Sequence, residues 1–129
     1  GVNWWIYCGG NPITYTDLDG REQVYFIYTY KNTKYDQKMK SLERNTIIDD
    51  ISWLKDNGIS VKVIENGTKN DILNAISDDK AQVIVTSGHG LTNNAGLQTS
   101  DRKSLKPADL KNKKIGENLN TVIFENCFH

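Results

Sequence analysis

Residues 81–90 read AQVIVTSGHG. Val83-Ile84-Val85 make a short apolar run that stops at Ser87-Gly88-His89-Gly90. A continuous β-branched run this short, bounded by turn residues, reads as a buried strand. The chain's end repeats the plan, with Thr121-Val122-Ile123-Phe124 followed by Glu125-Asn126-Cys127-Phe128-His129. Each run delivers one reactive side chain just past its last apolar residue. If the two strands are parallel neighbours, His89 and Cys127 lie side by side on one edge of a sheet.

The chain before this stretch builds such a sheet. Residues 24–30, VYFIYTY, are β-branched and aromatic throughout and read as another buried strand. Between Lys34 and Asn57, apolar residues recur at Tyr35, Met39, Leu42, Thr46/Ile47, Ile51 and Leu54, the spacing of an amphipathic helix. Gly58 comes next as the residue free to take positive φ at the helix end. Ile59, Val61, Val63 and Ile64 make the next strand. Gly67 turns the chain, Thr68 with Asp71 resembles a capping box, and Ile72, Leu73, Ala75 and Ile76 face inward from a second helix. Strands alternating with amphipathic helices imply an α/β fold with a parallel sheet covered by helices. Ligands in such sheets gather at the carboxyl ends of the strands, where His89 and Cys127 fall. Residues 91–120 are polar and irregular. Gly96-Leu97-Gln98-Thr99 reads as a small strand, and Pro107-Ala108-Asp109-Leu110 opens a short helix with Pro in its first turn. Asp109, Glu117, Arg102, Lys103 and Lys106 crowd this connection, so its charge favours neither polarity of ligand.

At 129 residues one compact domain is expected. Sixteen basic residues balance sixteen acidic ones, which gives no electrostatic case for nucleic acid or an anionic membrane as partner. Nothing approaches the roughly 18 apolar residues of a membrane span. GVNWWIYCGGNP at the start is not a signal peptide, and the missing initiator Met reads as a fragment or a processed product. Cys8 and Cys127 read as reduced thiols, since a disulfide framework takes more cysteines.

Residues 1–22 differ in composition from the rest of the chain. Trp4, Trp5, Tyr7 and Tyr15 mix with Gly9-Gly10, Asn11-Pro12 and Asp19-Gly20, a turn-rich, β-like composition. YCGGNPITYTDLDGR resembles the closing segment of the Rhs/YD-repeat core, Y-x-Y-x-x-N-N-P-x-x-x-x-D-P-x-G-R. Tyr7, Asn11, Pro12, Tyr15, Asp17, Asp19, Gly20 and Arg21 fit, while Leu18 stands at the usual Pro and Gly10 at a frequent Asn. The resemblance implies that residues 1–22 are the tail of an Rhs core and that a toxin domain comes after it. It also implies a bacterial protein, made in the cytoplasm and secreted or delivered as part of a larger toxin, with the parent core and a cognate immunity protein as partners. In that family aspartates near this point assist toxin release; for Asp17 and Asp19 turn chemistry is the simpler explanation.

A cysteine nucleophile needs a base to form thiolate at neutral pH, and histidine suits that task. The glycines flanking His89 let backbone N–H groups approach an oxyanion, with Gly90 and Cys127 as the donors. Asn126 and Glu125 are the candidates to orient the imidazole, although alternation turns only one of them inward. A hydrophobic strand ending in S-G-H-G and a later one ending in E-N-C resemble the caspase-like clan of cysteine peptidases. The similarity spans residues 23–129 and implies a three-layer sandwich whose four strands, counted in chain order, run 2-1-3-4. It implies a cysteine endopeptidase acting on a protein or peptide substrate without a cofactor. His89 is then the general base, Cys127 the nucleophile, and Gly90 a donor to the oxyanion. The clan has a small residue soon after the cysteine, where Phe128-His129 stand here, and continues with further strands. The chain therefore reads as a fold truncated at its C-terminus: a fragment, a shortened variant or an inactive remnant. Three alternatives stay open: a catalytically silent interaction domain held by an immunity protein, a different hydrolase or transferase on the same sheet, and a metal bound by His89, Cys127 and His129.

Overall fold

The computed structural model describes residues 1–6, 23–91 and 96–127, with the backbone alone for Ile6, Glu43, Asn45, Thr46, Asn126 and Cys127. Five parallel strands form the sheet: β1 (Asn3–Ile6), β2 (Gln23–Tyr28), β3 (Ser60–Ile64), β4 (Ala81–Leu91) and β7 (Thr121–Cys127), ordered β1-β7-β4-β2-β3. Helices α1 (Lys34–Asp56) and α2 (Lys69–Ser77) make the crossovers from β2 to β3 and from β3 to β4. Two short strands, β5 (Gly96–Gln98) and β6 (Ser104–Leu105), continue antiparallel from the end of β4, and a 3₁₀ turn covers Pro107–Leu110. The four expected strands are β2, β3, β4 and β7, and their lateral order is the expected 2-1-3-4. The fifth, β1, runs along β7 from Asn3↔Thr121 to Ile6↔Phe124. Residues 7–22, with the Rhs-like segment, lie outside the described part.

Alternation along the strands sorts the core into two layers. Val24, Phe26, Tyr28, Val83, Val85 and Ile123 meet Ile47 and Leu54 of α1 on one face. Tyr25, Ile27, Ile84 and Val122 meet Ile72, Ala75 and Ile76 of α2 on the other, joined by Leu97, Leu105 and Leu119. A helix on each face explains why Val24–Tyr28 of β2 and Val83–Val85 of β4 are apolar without interruption. Strand β4 extends further than its apolar run implies. It continues through Ser87, Gly88, His89 and Gly90 to Leu91, so His89 sits within a strand rather than on a loop. Pairing supplies the reason: Ser87 is opposite Tyr28 and Glu125, His89 is opposite Cys127, and β5 closes over Gly90 and Leu91. Hydrogen-bonded neighbours hold the backbone extended where side-chain hydrophobicity no longer does.

Helix α1 ends as its sequence suggests. Gly58 takes φ 75°. Its N–H donates to Lys55 O at 3.0 Å, and Ile59 N–H donates to Leu54 O at 2.9 Å. These are the two bonds of a Schellman motif, closed by burial of Leu54 and Ile59 in one cluster. Leu54 is fully buried, whereas Leu42 on the outer face is 57 % exposed. Leu54→Ala should lower the unfolding free energy by about 2–5 kcal/mol in a denaturant titration, while Leu42→Ala should shift it by no more than about 0.5 kcal/mol.

Candidate active site

The carboxyl ends of β2, β4 and β7 carry two rows of residues paired in register. The lower row is Tyr28, Ser87 and Glu125, in register across the three strands. The upper row sets His89 opposite Cys127. Register partners in adjacent strands share a side of the pleat, and the backbones run about 4.8 Å apart. The sequence expectation of neighbouring strand ends is thus met at the level of the backbone. Gly90, the next residue, is paired with Leu97 of β5. Asn126 is opposite Gly88, one step off the His89 position. The metal alternative rests on the side chains of Cys127 and His129, which lie outside the described part.

The structure adds a residue that the sequence reading missed. His89 Nε2 lies 3.0 Å from Asp36 Oδ1. Asp36 is only 2 % exposed. Its other oxygen accepts the Lys31 N–H at 2.8 Å. Burial raises the Asp36 carboxyl's pKa, but the Lys31 N–H and the His89 hydrogen bond outweigh burial and hold it below the ordinary carboxylate value. A carboxylate only accepts, so Nε2 is the donor and carries the proton. In the neutral ring Nδ1 then holds the lone pair. Tyr30 meets the imidazole edge-on at 5.3 Å, and Tyr35 lies parallel to it at 6.3 Å. Tyr30 is buried and Tyr35 is 60 % exposed, so the ring is clamped from within and covered by an outer lid.

A local signal for Asp36 does exist. Thr33-Lys34-Tyr35-Asp36 and Thr68-Lys69-Asn70-Asp71 share the pattern Thr-Lys-x-Asp at the start of a helix. In both, the threonine hydroxyl accepts the N–H of the aspartate, at 3.2 Å. Asp71 completes its box by accepting Thr68 N–H at 2.9 Å. Asp36 departs from the pattern. It reaches past Thr33 to Lys31 and turns its second oxygen toward His89. A capping aspartate that does not close its own box is free to serve another group.

One and two turns along α1 from Asp36, Lys40 and Arg44 reach Glu65 at the end of β3, at 3.1 Å and 2.8 Å. These pairs tie the helix to the strand ends. Arg44 also lies 5.9 Å above the Tyr28 ring. Burial pushes the Tyr28 phenol up to about 12, against the opposing pull of Arg44. Tyr28 is therefore a neutral group beneath the His89 row. Its hydroxyl and Ser87 Oγ are buried with no hydrogen-bond partner among the described residues.

Asp36 gives the site a defined acid response. Its folded-state pKa is depressed, so its stabilising contribution is present above the unfolded value and lost as pH falls through the folded one. In urea titrations, wild type should exceed Asp36→Asn in stability at neutral pH. That gap should close as pH drops below about 4; a gap that persists there would place its origin elsewhere. A scan against family models, a search of curated proteins and a search of solved structures find no match for this chain.

Proposed function

We propose that the chain is a cysteine endopeptidase in which His89 and Cys127 form the catalytic pair and Asp36 positions the histidine. The observation that carries this reading is the parallel register of His89 with Cys127, combined with the Asp36 hydrogen bond to Nε2. With the Nε2–H committed to Asp36, Nδ1 is the basic atom. It takes the Cys127 thiol proton, and the thiolate attacks the carbonyl carbon of a peptide bond. Backbone N–H groups at Gly90 and Cys127 receive the oxyanion. The imidazolium returns its proton to the leaving amine as the C–N bond breaks. A water molecule, deprotonated by the same nitrogen, then hydrolyses the thioester and regenerates the thiol. The carboxylate of Asp36 stabilises the imidazolium in both halves. The lateral strand order and the helices on both faces agree with a caspase-like fold. The toxin role, with an Rhs core before the domain and an immunity protein as partner, rests on residues 7–21 of the sequence.

A second reading has an observation of its own. Tyr35, Leu42 and Trp53 are half or more exposed on α1. Their spacing of 7 and 11 residues sets them within about 20° of one line on the helix. A silent interaction domain would offer such a stripe to a protein partner. Labelling with a thiol-reactive peptide ketone at neutral pH, in a Cys8→Ala background, separates the readings. A peptidase loses Cys127 labelling in His89→Ala and labels at least about tenfold more slowly in Asp36→Asn. Equal labelling of wild type and His89→Ala, with both folded, would refute the catalytic pair.

A further inference from the structure

Across the sheet from Asp36, on the α2 face, a cavity of about 300 Å³ opens beside the same strand ends. Trp4, Leu97, Leu105, Pro107, Leu110 and Phe124 form most of its lining. We infer that this cavity is the substrate-recognition pocket for an aromatic or branched aliphatic side chain next to the cleaved bond. The inference rests on the peptidase reading above and names its substrate class.

Three observations lead there. The cavity draws its lining from residues near the candidate site: Phe124 stands three residues before Cys127 on β7, and Leu97 is paired with Gly90, the neighbour of His89. Its size suits one large side chain, at the lower limit of small-molecule pockets. Its chemistry is one-sided. Lys106 is the only charged residue among the described residues of the lining, and no acidic group is there to pair a basic side chain. A basic substrate group would lose its hydration without a partner, whereas an apolar one gains about 25 cal/mol per Å² of surface buried.

Geometry links the two faces. An extended peptide turns successive side chains to opposite sides. A substrate laid over the carboxyl ends of β4 and β7 presents its scissile carbonyl to the His89–Cys127 row. A neighbouring side chain then falls to the far side, where the cavity lies. Gly96 shapes the wall. It takes φ 106°, and a Cβ there would collide with the Leu105 carbonyl. The Leu105 carbonyl of β6 can lie this close to β5 because position 96 has no side chain.

The test is a peptide library that varies two positions on each side of the cleaved bond, assayed on the whole chain. Leu, Ile or Phe at one of these positions should raise kcat/KM at least about tenfold over Lys or Arg. Leu110 is only partly buried at this cavity, so Leu110→Asp should keep the fold. It should abolish the apolar preference and favour Arg or Lys instead. Cys127 labelling by iodoacetamide should be unchanged and remain dependent on His89. His89-dependent labelling without an apolar preference, or an unchanged preference in Leu110→Asp, would overturn the pocket while leaving the peptidase reading intact. Labelling independent of His89 would overturn both.

Discussion

Strand β4 has a hydrogen-bonded neighbour on each side, β2 and β7, and its register against β7 runs unbroken from Val83↔Thr121 to His89↔Cys127. That register fixes both the core and the site. Side chains alternate with a period of two, so a slip of one residue would turn Val83 and Val85 away from α1 and carry His89 to the face opposite Asp36. Burial guards against such a slip. Val85 and Val122 are almost wholly inaccessible, and each faces a different helix layer. The apolar half of the strand therefore sets where its polar half ends up. A site placed just beyond the last buried residues of the strand inherits the precision of the core.

Asp36 shows how a local motif becomes a tertiary one. Both helices start with Thr-Lys-x-Asp, and both threonines cap their aspartate's N–H. The difference lies in what surrounds the second carboxylate oxygen. Asp71 keeps its bond to Thr68, as helix N-terminal chemistry favours. Asp36 lies against the end of β4, where His89 offers a stronger, partly buried partner. The lost capping bond is replaced by the Lys31 N–H from the β2–α1 connection. A short loop, a helix start and a strand end are thereby joined through one carboxylate.

Much of this was legible in the sequence. The β-branched runs at 24–28 and 83–85, the helical spacing of Ile47, Ile51 and Leu54, Gly58 at the helix end and the Thr68–Asp71 box all report on interactions close in sequence or on burial of a whole face. The lateral order came from resemblance, not from any local pattern. The length of β4 was hidden, because its last residues are polar and glycine-rich and are held by pairing alone. Asp36 was hidden for a related reason. Its partner is 53 residues away, and nothing within one helix start distinguishes an aspartate that caps from one that reaches across. The cavity needs Trp4, Leu97, Leu110 and Phe124 together, residues that only the folded sheet gathers.

The proposed pairing of His89 with Cys127 can be tested most directly through the ionisation of Cys127 itself. In a Cys8→Ala background, the ultraviolet absorbance of the thiolate can be followed against pH for the folded protein and for its His89→Ala variant. A thiol paired with an imidazole gives up its proton at lower pH than an isolated one, whose value is about 8.5. The folded protein should therefore show thiolate at a pH where His89→Ala shows none. Coincident titrations in the two proteins would contradict the pairing of His89 with Cys127.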